Sequence, residues 1–281
     1  MDGKQIFRTA QLTWAENSGV HFDERGYVEP FTLNLRPGVR PDTIAQLRKG
    51  SGGELKDSPK RPAKIRALHS SSALAVNFFD YWVPPERLPR LAQSLDIKSS
   101  IIQLRFEAKF RTALGGTPPN LDLALDLDDH STFAIESKFG EWLAPKPRHD
   151  LRFAQKYLQG SQRYWDDQGL YASQALASAI GVGKEHFCYL DAKQLLKHAL
   201  GLATQCQHRF QLVYIYYEHS GSESVAHSDE LTRFSVKIAT DFPFKHITYQ
   251  TLFAVLKRGC RADDDAYFTY LRDRYFRGLA A

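Results

Sequence analysis

The chain has 281 residues, 43% of them apolar and 12% aromatic, with a formal charge of +5 and a pI near 9.0. This length can bury one large core or two modest ones, and no apolar run approaches the roughly 20 residues a bilayer span needs. The three cysteines, Cys188, Cys206 and Cys260, lie far apart and form no CxxC pair, which argues against a disulfide framework or a zinc module. With no apolar core or cleavage site for a secretory signal in MDGKQIFRTAQ, the expected compartment is the cytoplasm. The mild positive charge leans toward an anionic partner.

In chain order, residues 1–48 read as short strands or packed loops, because Gly19, Gly26, Pro30 and Pro37 interrupt the aromatic positions. KGSGGELKDSPKRPAKIR (49–66) is rich in Gly, Pro, Lys and Arg. It reads as a solvated basic loop that can also lie along a phosphate backbone. HSSSALAVNFFDYW (69–82) predicts a deeply packed helix, capped by Ser70 to Ser72 and ended by Pro84. Residues 85–95 predict a short helix with Pro85 in its first turn. Ser99 to Phe110 alternates as a strand, with Ile102, Leu104, Phe106, Ala108 and Phe110 on one face. Gln103, Arg105, Glu107 and Lys109 lie on the other.

Two further strands follow. LDLALDL (121–127) alternates strictly, setting Asp122 and Asp126 opposite the leucines. STFAIESKF (131–139) puts Glu136 and Lys138 on one face and Phe133, Ile135, Ser137 and Phe139 on the other. The polar link Asp128-Asp129-His130 makes the two a hairpin, which could set Asp122 beside Glu136 and Lys138. Such an arrangement suits a divalent ion and an activated water. Magnesium takes oxygen ligands and commonly one or two protein carboxylates. Asp122, Glu136 and the main-chain carbonyl of Ser137 fit that need. An exposed sheet face with ion pairs is the plainer alternative, and Asp126 could stand in for Asp122.

Beyond the hairpin, KPRHDLRFAQKYLQGSQRYW (146–165) interleaves Lys and Arg with aromatics and reads as helical, with a basic face. Further helices are predicted at 174–180, 189–202, 228–240, 248–258 and 263–277, with a buried strand at 209–218. Helices, three strands, helices, one strand and helices again suggest an α/β domain, or an α+β one, with a central mixed sheet between helices. Residues 1–66 form an N-terminal extension in this reading, and 67–281 the core with its C-terminal helices.

The stretch from Pro119 to Lys138 resembles the active-site core of the PD-(D/E)XK nuclease superfamily, in its restriction-endonuclease-like branch of bacterial and phage proteins. The second half, Glu136-Ser137-Lys138, fits that pattern unaltered, whereas Pro119-Asn120-Leu121-Asp122 places two residues between Pro and Asp. The resemblance spans about residues 69–218 and includes the YLDAKQLLKHALGL helix and the LVYIYY strand. It implies a metal-dependent DNA endonuclease of the restriction or phage-defence kind, using Mg2+ or Mn2+. Asp122 and Glu136 would be ligands and Lys138 would activate water. Glu107 would add a further carboxylate, and Gln194 would reach the site or the phosphate backbone. His198, one turn from Gln194, reads as a packed or surface side chain rather than a ligand, and Glu141 as a weak candidate. Cutting both strands of a duplex calls for two active sites, so a homodimer is one expected state. An inactive DNA-binding module, or a nuclease acting on RNA or free ends, is the alternative.

Overall fold

The computed structural model describes residues 3–50, 54–59, 61–146, 153, 155–158 and 163–277. Its centre is a five-stranded sheet in the order β1 (Ile101–Lys109), β2 (Asn120–Leu127), β3 (Thr132–Lys138), β4 (Phe210–Tyr216) and β5 (Phe244–Thr248). The first three strands run antiparallel, and β3, β4 and β5 are parallel. The expected mixed sheet flanked by helices is therefore the architecture of the chain. Parallel strands need crossovers that cover the sheet, which is why β4 reads as an almost unbroken apolar run. The segment between β3 and β4 holds α5 (Tyr171–Gly181) and α6 (Ala192–Cys206), and that between β4 and β5 holds α7 (Ser222–Ile238).

The region before residue 49 departs from expectation, because it holds two helices, α1 (Gly3–Asn17) and α2 (Pro41–Lys49). In α1 the buried positions Gly3, Phe7, Gln11 and Ala15 recur every fourth residue. The polar Gln11 hides this stripe from a reading based on hydrophobicity. Its amide is satisfied inside, donating to the Arg274 carbonyl at 2.9 Å. Helix α2 lies along the outer edge of β1, where Gln46 Oε1 accepts from the Phe106 N–H at 2.7 Å. This covers part of an edge that would otherwise present unpaired main chain. Phe7, Leu35, Leu47 and Ile65 belong to the same buried cluster as the sheet core.

The expected basic loop is also more ordered where it is described. Glu54 is buried within it and holds Lys64 at 2.9 Å and the Ser72 hydroxyl at 2.7 Å. The predicted helix at 69–82 forms as α3 (Ser71–Phe79) plus a 3₁₀ turn, with the Ser70 hydroxyl capping Ala73 N. The next helix, α4 (Leu88–Ser94), starts later than expected, with Pro89 rather than Pro85 in its first turn. A register shift between Ile101 and Gln103 turns Ile102 outward, where it is 63% exposed, against the alternation read for this strand. The end of the chain forms α8 (Tyr249–Arg258) and α9 (Asp265–Leu271). Strand β5, half-buried except at the exposed His246, falls between two predicted helices and is not expected from the sequence. Of the helical region expected at 146–165, residues 147–152, 154 and 159–162, Arg148 and Arg152 among them, lie outside the described residues. Gln155–Tyr157 forms a 3₁₀ turn. No described helix is long and apolar enough to cross a membrane.

Candidate active site

The site begins where the hairpin ladder stops. Strands β2 and β3 pair from Asp126–Thr132 to Leu123–Ile135, and the next residues along the two strands are Asp122 and Glu136. There the side chain of Asp122 takes over from the main chain, Oδ2 accepting the Ser137 N–H at 2.7 Å. The link fixes the Asp122 carboxylate beside the strand that carries Glu136 and Lys138. Behind it, the buried Ser137 hydroxyl lies 2.7 Å from the Tyr249 hydroxyl, tying β3 to the start of α8.

Glu136 is buried between two nitrogen-bearing side chains. Oε1 accepts from Lys138 Nζ at 2.5 Å, and Oε2 lies 3.1 Å from His198 Nε2. That second approach is not aligned as a hydrogen bond, so Oε2 and both His198 ring nitrogens are buried without a hydrogen-bond partner. Lys138 Nζ also donates to Gln194 Oε1 at 3.0 Å. Asp191 caps α6 by accepting from Gln194 N at 2.9 Å, and residues 194 and 198, four apart, share the helix face that meets β3.

Charge is unevenly compensated here. Burial raises the Asp122 carboxyl, Glu136 raises it further and Lys138 only partly opposes them, leaving it well above the usual range. Burial would raise Glu136 too, but Lys138 and then His198 outweigh it and hold that group at about 2. Burial lowers Lys138, and Glu136 and Asp122 reverse the effect, so its ammonium persists far above neutral pH. On β1, Glu107 is buried with its backbone at φ +52°, a left-handed conformation uncommon outside glycine. Burial first, and then Glu54, push its carboxyl up to about 7, although Asn120 Nδ2 donates to its Oε2. Gly50 lets α2 end against this side chain, since a Cβ at Gly50 would fall 2.8 Å from Glu107 Oε2.

A cleft of about 640 Å³ opens over these groups, lined by Glu107, Asp122, Glu136, Lys138, Gln194 and His198. Its other wall comes from the N-terminal region, through Phe7, Tyr27 and Glu54. Phe7 is held there by edge contacts with Phe139 and Tyr217, each with ring centroids 5.1 Å apart. The sequence-predicted residues Asp122, Glu136, Lys138, Glu107 and Gln194 all line this one cleft, with Ser137 on the strand between two of them. Asp126 points to another partner, Arg105, and Glu141 accepts from the Phe139 N–H at 2.9 Å while bordering the cleft.

The donor set suits a hard divalent cation. It is made of oxygens, one carboxylate carries a buried oxygen that makes no hydrogen bond, and a second carboxylate is driven toward neutrality by burial and by Glu136. Among the described residues no group of three or more His, Cys, Asp or Glu side chains is arranged to hold a metal. An ion here would therefore rest on Asp122, Glu136 and the Ser137 carbonyl, with water filling the remaining positions.

Residues 5–276 match the family described as restriction endonuclease associating with ARP. The chain belongs to that family. No curated protein and no solved structure matches it. Within this chain, two charged cleft residues, Glu54 and Lys197, carry no expected role at the site. Basic residues on both sides of Glu54 hide it. His198, expected as a packed or surface side chain, is packed against Glu136. Lys197 follows Gln194 by three residues on one capped helix, and that spacing is the available signal for it.

Proposed function

We propose that the chain is a metal-dependent DNA endonuclease of the PD-(D/E)XK kind, using Mg2+, with Mn2+ an alternative ion. The observation that supports this most is the convergence of Asp122, Glu136 and Lys138 at the floor of one cleft, with Glu136 Oε2 making no hydrogen bond. A divalent ion bound there supplies Lewis acidity toward the phosphoryl oxygens and the attacking water. The protein's own part is positional. Asp122, oriented by the Ser137 N–H, and Glu136, oriented by Lys138, present oxygens to the ion. Lys138, held by Glu136 and Gln194, serves to orient water and to meet negative charge growing on the phosphate. Gln194 holds the Lys138 ammonium from the helix side. Glu107 adds a carboxyl that is neutral in part near pH 7 and lies along the same floor. The family description adds an association with ARP.

The test is plasmid cleavage with magnesium or with EDTA, comparing the natural protein with Lys138→Ala. Cleavage is expected only with the metal, and the variant should be slower by about 10²- to 10⁴-fold. Undiminished cutting by Lys138→Ala would show that another site does the chemistry.

A further inference from the structure

We infer that Lys197 is a second phosphate contact of the cleft, gripping the nucleic-acid backbone beside the phosphate that is cut. This rests on the nuclease reading and extends it to a residue that neither the motif nor the family match marks. Lys197 follows Gln194 by three residues and precedes His198, so α6 holds it rigidly on the face that borders Glu136 and Lys138. It is half-buried and lines the cleft. Burial lowers its pKa, Asp191 opposes this, and Lys193 adds to the lowering.

The neighbouring ammonium groups are already engaged. Lys138 is held by Glu136 and Gln194, Lys146 by Asp191, and Lys64 by Glu54. Lys197 has neither an ion-pair partner nor a hydrogen-bond partner among the described residues. Lys4 and Arg61 also line the cleft, but both are exposed, so water solvates their charge without penalty. A half-buried ammonium loses part of its hydration and recovers it only when an anion arrives. The anion that enters this cleft in the nuclease reading is a phosphodiester chain. The scissile phosphate belongs to the acids and Lys138, so the next phosphate along the backbone is what Lys197 can meet. A lysine suits this role, since a point charge positions backbone without reading bases.

Binding separates this role from a structural one. A fluorescently labelled short DNA duplex is titrated with the full chain, calcium replacing magnesium, over a series of salt concentrations. Each phosphate neutralised adds about 0.9 to the slope of log K against log[salt] on duplex DNA. Lys197→Met, which keeps the apolar stem, should lower that slope by about 0.9, and Lys197→Arg should restore it. Should Lys197→Met fail to fold, Lys197→Gln serves the same comparison. An unchanged slope in a folded, charge-removed variant overturns the assignment while leaving the nuclease reading intact. No salt-dependent binding by the natural protein overturns both.

Discussion

The two ends of β2 carry the same residue on the same face and put it to opposite uses. Asp126 sits near Arg105 of β1, which donates to both its oxygens at 2.6 and 2.7 Å, and it pairs in register with the neutral Thr132 of β3. Four residues earlier, the β1 register sets Glu107 across from Asp122, and the β3 register sets Glu136 there. One aspartate has a guanidinium for a neighbour and the other has two acids. The first end is a finished ion pair. The second gathers buried acids whose charge Lys138 only partly offsets. Strand alternation alone treats these positions as equals, and the residue types on the flanking strands tell them apart.

The sharpest way to break the comparison is to neutralise each aspartate in turn and measure magnesium-dependent cutting. Asp122→Asn is expected to lose several kcal/mol of transition-state stabilisation, on the order of 10²- to 10³-fold in rate. Asp126→Asn should stay within a few-fold of the natural protein. Similar losses in both variants would mean that the two ends of the strand do not differ in function.

A second measurement addresses the buried acids themselves, through Glu107. Its carboxyl has a usual value of 4.5 and is raised to about 7 in the folded chain, by burial and then by Glu54. Below pH 4.5 both folded and unfolded chains hold the proton, and the group imposes no penalty. Between 4.5 and about 7 the unfolded chain ionises first, so stability falls as pH rises, and above 7 the penalty is complete. Glu107→Gln should therefore stabilise the metal-free protein at pH 8, by up to about 3 kcal/mol, and change little at pH 4. Urea unfolding in EDTA at the two pH values reads this directly. A gain that is the same at both would mean that burial and Glu54 do not hold this carboxyl up.

Much of this end of the molecule was legible in the residues. Strict alternation in LDLALDL and the two-residue step from Glu136 to Lys138 fix which side chains share a face. The N-terminal wall was not legible, for physical reasons. The stripe of α1 runs through a buried Gln11 whose partner, Arg274, is 263 residues away. The acid Glu54 is satisfied by Ser72 and Lys64, contacts that only the tertiary fold creates. Strand β5 was hidden because a half-buried edge strand lacks the apolar run that betrays β4. The bulge beside Ile102 shows the limit of period-two reasoning, since one register shift reverses the face of a residue.

The smallest effect belongs to the finished end of β2. The side chains of Arg105 and Asp126 keep 33% and 26% of their surface exposed, so water screens their attraction even though the contact is two-pronged. Such pairs contribute about 0.2 to 1 kcal/mol, and salt weakens them. Asp126→Asn should shift the urea midpoint slightly at low ionic strength, and the shift should shrink in high salt. Arg105→Gln should give a similar shift, and the double variant should cost less than the two losses added together. A loss of several kcal/mol, or one indifferent to salt, would place Asp126 in surroundings as enclosed as those of Asp122. Neighbouring charge alone would then not be what divides the two ends.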